Sequence, residues 1–147
     1  MSVSIHPVDP ALRFEIHDLV AQYALAIDTR DWPLLERVFT ADADVDFGFA
    51  RWRDAASFTR FMQETHDPAG KSLHRMSNTV VTGLDPLTAR TYGDAVVLVA
   101  DGSTGTDANA WYDDEFRRTE DGLRIARRWV RMTSLVQLPE NRAAAMR

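Results

Sequence analysis

The chain contains no cysteine among its 147 residues, which excludes disulfides, thiolate metal ligands and a cysteine nucleophile. Its formal net charge is −5, so no basic surface for nucleic acid is indicated. No apolar run approaches the roughly 18 residues that span a bilayer, and the opening residues lack the basic and apolar regions of a secretory signal. We therefore expect a cytoplasmic protein without nucleic-acid or membrane partners.

Motifs for bound metals and phosphates are also missing. The four histidines, at positions 6, 17, 66 and 74, do not have the spacing of metal ligands, and the seven glycines form no phosphate-cradling loop. We therefore predict no metal and no organic cofactor. His6, His17 and His66 are expected at the surface, whereas His74 lies in a strand with apolar neighbours.

The composition is that of an ordinary globular domain. Hydrophobic residues make up 45% and charged residues 27% of a chain long enough for one substantial core. We predict a single domain over residues 1–147. Its core spans about residues 10–135, with a mobile N-terminal arm and a mobile tail from Pro139.

The first half of the chain has helical periodicity interrupted by one alternating segment. A helix is predicted from Ala11 to about Thr29, with an apolar stripe formed by Ile16, Leu19, Val20, Tyr23 and Ile27. Asp31 and Asp54 are the predicted N-caps of two further helices. Between these helices, residues 42–49 alternate as in a strand, with one face formed by Val45, Phe47 and Phe49.

The second half has a period of two. Strands are predicted over about residues 73–82, 88–101, 109–118 and 123–135, and Asp121-Gly122 indicates a hairpin between the last two. Helices followed by antiparallel strands favour an α+β domain. A long curved sheet around the first helix would form a cone with one closed pocket, the expected place for a ligand in a small domain.

The strand near residue 74 carries the most informative side chain. Strict alternation places His74 on one face with Met76, Asn78 and Val80. A histidine among apolar neighbours is either a core residue bonded to a backbone carbonyl or a general base lining a pocket. The second interpretation requires a carboxylate from elsewhere to orient the ring.

The order of elements, the segment Tyr23–Trp32, the strand His74–Asn78 and the hairpin Asp121–Ile125 together resemble the SnoaL-like branch of the nuclear transport factor 2-like superfamily, over about residues 10–135. This resemblance implies a cone-shaped α+β barrel, with three N-terminal helices packed in a curved, mostly antiparallel sheet. It also implies a homo-oligomer, a dimer or trimer. Members include scytalone dehydratase, bile-acid 7α-dehydratase and lindane dehydrochlorinase, which act without a cofactor.

The resemblance also implies site residues. Asp28 and His74 match the acid and the general base of the dehydratase and dehydrochlorinase members, and Tyr23 and Asp94 match two further catalytic positions of bile-acid dehydratase. Arg131 matches its substrate-binding arginine on the last strand. Taken alone, Tyr23 could be a core residue, Asp94 could mark a bulge beside a glycine, and Arg131 could be one solvated charge in a basic run.

Three aromatic residues, Phe47, Tyr112 and Trp129, are candidate walls of the substrate pocket, although core packing explains them equally well. Phe47 and Asp94 stand where scytalone dehydratase has a tyrosine and a second histidine, so the resemblance does not fix the substrate. The leading hypothesis is a cofactor-independent lyase or isomerase for an apolar polycyclic or aromatic molecule. The alternative is a non-catalytic domain that binds small molecules or associates with other subunits, because fold does not determine function.

Overall fold

Three helices and six strands make up the computed structural model, which describes residues 4–143. In chain order they are α1 (Pro10–Thr29), α2 (Trp32–Val38), β1 (Phe39–Asp46), β2 (Arg51–Trp52), α3 (Ala55–His66), β3 (Ser72–Leu84), β4 (Leu87–Leu98), β5 (Gly105–Thr119) and β6 (Gly122–Leu138). No helix in this described part is long and apolar enough to cross a membrane.

All six strands belong to one curved sheet, in the order β2-β1-β6-β5-β4-β3. Strands β1 and β6 are parallel and every other neighbouring pair is antiparallel. The sheet does not close, and α1 packs against both β3 and β6 on its inner face. The predicted cone-shaped α+β fold is confirmed.

The helices form where the sequence provides an apolar stripe and a cap. The predicted stripe of α1 is buried in the core, together with Ala24 and Ala26. Asp31 accepts a hydrogen bond from the amide of Leu34 at 3.0 Å, and Asp54 accepts one from the amide of Ser57 at 2.7 Å. Both predicted caps therefore satisfy amides that the first helical turn leaves free.

Strand β1 ends earlier than predicted. Asp46 accepts a hydrogen bond from the amide of Gly48 at 2.7 Å, and Gly48 has a φ of +83°. This turn leads into the short strand β2, which the alternation pattern did not reveal. Phe49 consequently lies in the turn and is 68% exposed, so the prediction that it shares a strand face with Val45 is wrong.

A bulge changes the face pattern of β3. Asn78 has a φ of 52°, and the pairing of β3 with β4 shifts between Ser77 and Val80. As a result Val81, rather than Val80, faces the core with His74 and Met76. The predicted alternation is correct up to the bulge and wrong directly after it, because one extra residue moves the side chains that follow to the opposite face.

The described parts of both ends contact the domain. The amide of His6 donates to the carbonyl of Val81 at 3.1 Å, and the amide of Asn141 donates to the carbonyl of Ser103 at 2.7 Å. Residues 1–3 and 144–147 lie outside the described residues. The predicted mobility of the arm and the tail therefore stays a prediction.

Candidate active site

Asp28 in the last turn of α1 and His74 on β3 are in direct contact. The Oδ1 atom of Asp28 lies 2.7 Å from Nδ1 of His74, and its Oδ2 atom accepts the backbone amide of His74 at 2.7 Å. Their side chains are 18% and 7% exposed, respectively. Because an ionised carboxylate only accepts, Nδ1 carries the hydrogen, and Nε2 of the neutral imidazole is a free acceptor.

The carboxylate of Asp28 is itself held by a brace formed by Arg30 and Ser72. Ser72 Oγ donates to Asp28 Oδ1 at 2.8 Å and accepts from Arg30 Nη1 at 2.9 Å. Arg30 also donates to the carbonyls of Ile27 at 2.6 Å and Gly70 at 2.7 Å. Since a guanidinium only donates, it directs the serine hydrogen towards Asp28.

These contacts keep Asp28 ionised. Burial opposes its charge, but hydrogen bonds from the His74 ring, the His74 amide and Ser72 outweigh that effect and lower the pKa of Asp28. An ionised Asp28 orients the imidazole and stabilises its protonated form. Sequence reasoning identified Asp28 and His74 but missed Arg30 and Ser72, which are 42 residues apart and adjoin the dyad only in the folded chain.

A second group of polar side chains lies deeper in the cone. The guanidinium of Arg128 is 4.2 Å from the ring centroid of Tyr23 and 4.9 Å from that of Tyr112. Its Nε and Nη2 atoms each donate to the carboxylate of Asp114 at 2.7 Å. Arg128 is completely buried, and its Nη1 atom has no hydrogen-bond partner among residues 4–143.

The ionisation states of this group follow from burial and charge. Burial raises the pKa of Tyr23 and of Tyr112, so both phenols keep their hydrogens at neutral pH. Burial alone would lower the pKa of Arg128, but the Asp114 carboxylate more than compensates and raises it. The cone therefore contains a fixed cation and two phenol donors, the kinds of group that stabilise developing negative charge.

Arg128, rather than Arg131, is the arginine of β6 that faces the interior. Arg131 is exposed, pairs with Trp111 across the sheet and donates to the carbonyl of Val130 at 3.2 Å. The match to Arg131 is therefore corrected. The sequence could have predicted this, because Arg128 is two residues before the apolar residue Val130 and therefore lies on the same face of the strand.

Asp94 and Trp129 also lie on the outer face of the sheet, so neither reaches His74. Asp94 forms an ion pair with Arg75, and Trp129 pairs with Asp113 and lies against Arg127, whose guanidinium carbon is 5.1 Å from the indole centroid. Both predicted placements at the site are wrong. Each residue is adjacent in sequence to one that faces inward, and alternation turns the next side chain outward.

Gly93 explains the placement of Asp94. A Cβ atom at Gly93 would lie 2.6 Å from Tyr112 Cε2 and 3.1 Å from Met76 Sδ. The inner face of β4 at this position is therefore occupied by side chains of the neighbouring strands. Because Gly93 faces inward, Asp94 faces outward.

The two remaining predicted wall residues lie on the inner side. Tyr112 is buried, with its ring centroid 6.0 Å from that of Tyr23. Phe47 is half-buried and packs 5.6 Å from Phe58 and 5.7 Å from Trp52. Their position is compatible with a pocket wall, and their role in binding stays a prediction.

His66 is not the isolated surface residue that was predicted. It is the last residue of α3 and half-buried, and its ring centroid lies 6.0 Å from that of His74 and 6.4 Å from that of Trp32. The sequence could have indicated this partial burial, because His66 is close to the end of a predicted helix whose apolar face packs inward. By contrast, His17 is exposed, as predicted.

A large open cavity lies away from the dyad. It has a volume of about 1320 Å³, between α2, α3 and the start of β1, and its lining includes Phe39, Thr40 and Thr59 but neither Asp28 nor His74. The hollow expected beside His74 therefore stays a prediction. Among residues 4–143 no group of three His, Cys, Asp or Glu side chains could hold a metal ion.

A family model described as SnoaL-like domain matches residues 11–129. The uncharacterized protein Rv2910c of Mycobacterium tuberculosis is 33% identical over 121 residues, which cover 79% of this chain and 82% of that protein. A structure from Novosphingobium aromaticivorans described as a candidate aromatic ring hydroxylase is 27% identical, with a TM-score of 0.81 over 95% of this chain and 99% of that one.

Two further solved structures show the same fold. The hexachlorocyclohexane dehydrochlorinase LinA-type3 of Novosphingobium barchaimii has a TM-score of 0.72 at 18% identity, covering 87% of this chain and 90% of that one. ActVI-ORFA of Streptomyces coelicolor has a TM-score of 0.72 at 20% identity, covering 84% and 98%. The family model spans most of the chain, and this protein therefore belongs to the SnoaL-like domain family.

Proposed function

We propose that this protein is a cofactor-independent lyase or isomerase, of the dehydratase or cyclase type, that acts on an apolar polycyclic or aromatic small molecule. His74 is the general base and Asp28 orients it. The observation that carries the proposal is the 2.7 Å contact between the Asp28 carboxylate and His74 Nδ1. Structural neighbours named as a dehydrochlorinase and a candidate scytalone dehydratase support an elimination reaction.

The first step is removal of a proton from carbon. His74 Nε2 accepts the proton, and the electron pair of the broken C–H bond forms the new carbon–carbon double bond. The imidazolium that results is stabilised by the ionised Asp28. General base assistance of this kind contributes roughly 10²- to 10⁴-fold to the rate.

Departure of the leaving group is the second requirement. The bond from carbon to the leaving oxygen or halide breaks and its electrons move to the leaving atom. The hydroxyl of Tyr23 and the free Nη1 of Arg128 are donors of the appropriate type. Arg128 takes the role first assigned to Arg131, because it is the arginine of β6 that faces the cone.

The substrate class follows from the walls of the cone. Met76, Tyr112 and Tyr23 present apolar and aromatic surface on the inner side of the sheet, and the two tyrosine rings pack against the Arg128 cation. Aromatic rings stack favourably on such side chains, whereas a highly charged substrate would lose hydration there. The neighbour described as a candidate aromatic ring hydroxylase supports an aromatic substrate.

The test is depletion of metabolites from a mixture of apolar aromatic and polycyclic compounds by the purified protein. The wild type and His17→Ala, which changes an exposed histidine of α1, are expected to consume the same compound. His74→Ala is expected to consume none and to keep the wild-type circular dichroism spectrum. Consumption by His74→Ala at the wild-type rate would refute the proposal.

A second candidate function is ligand binding without catalysis. It is favoured by the low exposure of His74, at 7%, and by a large cavity that the dyad does not line. In that case Asp28 and His74 tie α1 to β3, and His74→Ala lowers the melting temperature without changing ligand affinity. Calorimetric unfolding together with a ligand titration separates this outcome from catalysis.

Assembly into a homo-oligomer is a further part of the proposal. The outer face of the sheet exposes three large apolar side chains, which are Leu73, Tyr92 and Val136. Contiguous exposed apolar surface of this kind marks an interaction site. A second copy of the chain would cover it, since a two-fold interface is self-complementary.

A further inference from the structure

Two imidazoles lie side by side where α3 ends and β3 begins. The ring centroids of His66 and His74 are 6.0 Å apart, with 43° between the ring planes. His66 Nδ1 lies 2.9 Å from the carbonyl oxygen of Met62, and because a carbonyl only accepts, Nδ1 carries the hydrogen. A neutral His66 therefore has Nε2 as its free acceptor, the same atom that Asp28 leaves free on His74.

The ring of His66 is held from several sides. Thr65 Oγ1 lies 3.0 Å from its Nδ1 atom, and the indole of Trp32 packs 6.4 Å away, centroid to centroid. The indole is itself fixed, because Trp32 Nε1 donates to Asp67 Oδ1 at 3.0 Å. His66 thus has a defined position beside the dyad.

The surroundings keep His66 neutral at rest. Burial lowers its pKa most, and the charge of Arg30 and that of His74 once it is protonated lower it further, while the Met62 carbonyl and Asp28 raise it. Asp67 is the other charged group on this side and is engaged by Trp32. A neutral imidazole with a free Nε2 can accept a proton and release it again.

The dyad by itself has little contact with solvent. The side chain of His74 is 7% exposed, and a base that has taken a proton must lose it before the next turnover. His66 is half-buried and keeps part of its surface exposed. It is therefore a neighbour of the shielded base that has contact with solvent.

We propose that His66 is a second proton carrier of this site, which receives at Nε2 the proton that His74 has taken from the substrate. The His74 N–H bond breaks and a His66 N–H bond forms, directly or through one bridging water, which carries such a contact well. His66 then releases the proton to the departing group or to solvent, so both rings end neutral. This inference rests on the proposed function, because it requires His74 to act as a base.

The kinetic test compares His66→Gln with the wild type and with His17→Gln, the matched change of an exposed histidine. We expect kcat of His66→Gln to fall at least tenfold, KM to stay unchanged, and added imidazole to restore kcat. A purely structural role would lower stability without imidazole rescue. A His66→Gln variant that keeps the wild-type kcat, with no effect of added imidazole, would overturn the proposal.

A second measurement needs no substrate. The titration of the His66 Cε1 proton is followed by NMR in the wild type and in His74→Gln. We expect the His66 midpoint to rise in the variant, because a neighbouring imidazolium that opposes its protonation is gone; an unchanged midpoint would overturn the coupling. Undiminished turnover by His74→Ala would defeat the proposed function itself, whereas inactive His74→Ala with fully active His66→Gln would defeat only the relay.

Discussion

Replacing Asp28 with asparagine tests the arrangement most directly. Asp28 accepts three hydrogen bonds, from the His74 ring, the His74 amide and the Ser72 hydroxyl. An asparagine has one acceptor oxygen and one donor NH₂ group, so at least one of these three donors would face another donor. With the NH₂ group towards the ring, the imidazole loses the contact that selects its tautomer, and in either orientation it loses the charge that stabilises its imidazolium.

The expected magnitude follows from these losses. The equivalent change in a serine protease triad lowers kcat about 10⁴-fold, and we expect a loss of roughly 10³- to 10⁴-fold for Asp28→Asn, which corresponds to about 4–5.5 kcal/mol of activation free energy. One unsatisfied, partly buried donor costs about 1–3 kcal/mol in the free energy of unfolding. Activity should therefore fall far more than stability.

The assay measures kcat on the compound identified by depletion, and the free energy of unfolding in urea. Asp18→Asn is the matched control, since Asp18 lies on the same helix and is exposed, bonded only to Gln22 at 2.7 Å. It should keep wild-type kcat. If Asp28→Asn retained more than a tenth of the wild-type kcat, the assignment of Asp28 as the orienting acid would be refuted.

Four further outcomes are expected. Arg30→Met removes the guanidinium that holds Ser72 and should lower kcat about 10- to 100-fold, as the loss of a contact that orients a site residue does. Arg37→Met, which changes an exposed arginine of α2, is the control in the same assay. Gly93→Ala should reduce the free energy of unfolding by about 1–3 kcal/mol in urea, because its Cβ meets Tyr112 at 2.6 Å. The pKa of Asp28 is lower in the folded protein than in the unfolded chain, so the stability that Asp28 contributes is complete above the unfolded pKa and is lost as the pH falls through the folded pKa. In urea titrations, Asp28→Asn should therefore lose less stability on acidification than the wild type. An equal loss in the two proteins would contradict this. Val136→Asp should reduce the mass measured by light scattering to that of a monomer, and a monomeric wild type would contradict the proposed homo-oligomer.

Much of the fold was predictable because local patterns and tertiary packing agree. The stripe of α1, the caps Asp31 and Asp54, and the hairpin at Gly122 appear where the sequence predicts them. Where a turn or bulge interrupts a strand, the prediction failed. Gly48 lies in the turn that ends β1 early, and the bulge at Asn78 reverses the faces on which the next side chains of β3 lie.

The site was predictable only in part, for a similar reason. Asp28 and His74 were identified and do meet, whereas Asp94 and Arg131 were assigned to the site by resemblance although both face outward. The alternation of faces along β6 would have favoured Arg128 over Arg131 as the inward-facing arginine. No local pattern, however, relates it to its partner on β5 or to the ring of Tyr23 on α1.

By itself, the sequence determined the class of fold, the helix that carries Asp28 and the strand that carries His74, because periodicity and capping act over neighbouring residues. Only the tertiary structure decided that Arg30 and Ser72 hold the carboxylate of Asp28, that Arg128 lies inside the cone, and that His66 lies beside His74. These contacts join residues far apart in the chain. Their distances depend on how the sheet curves and where it bulges, which no local pattern encodes.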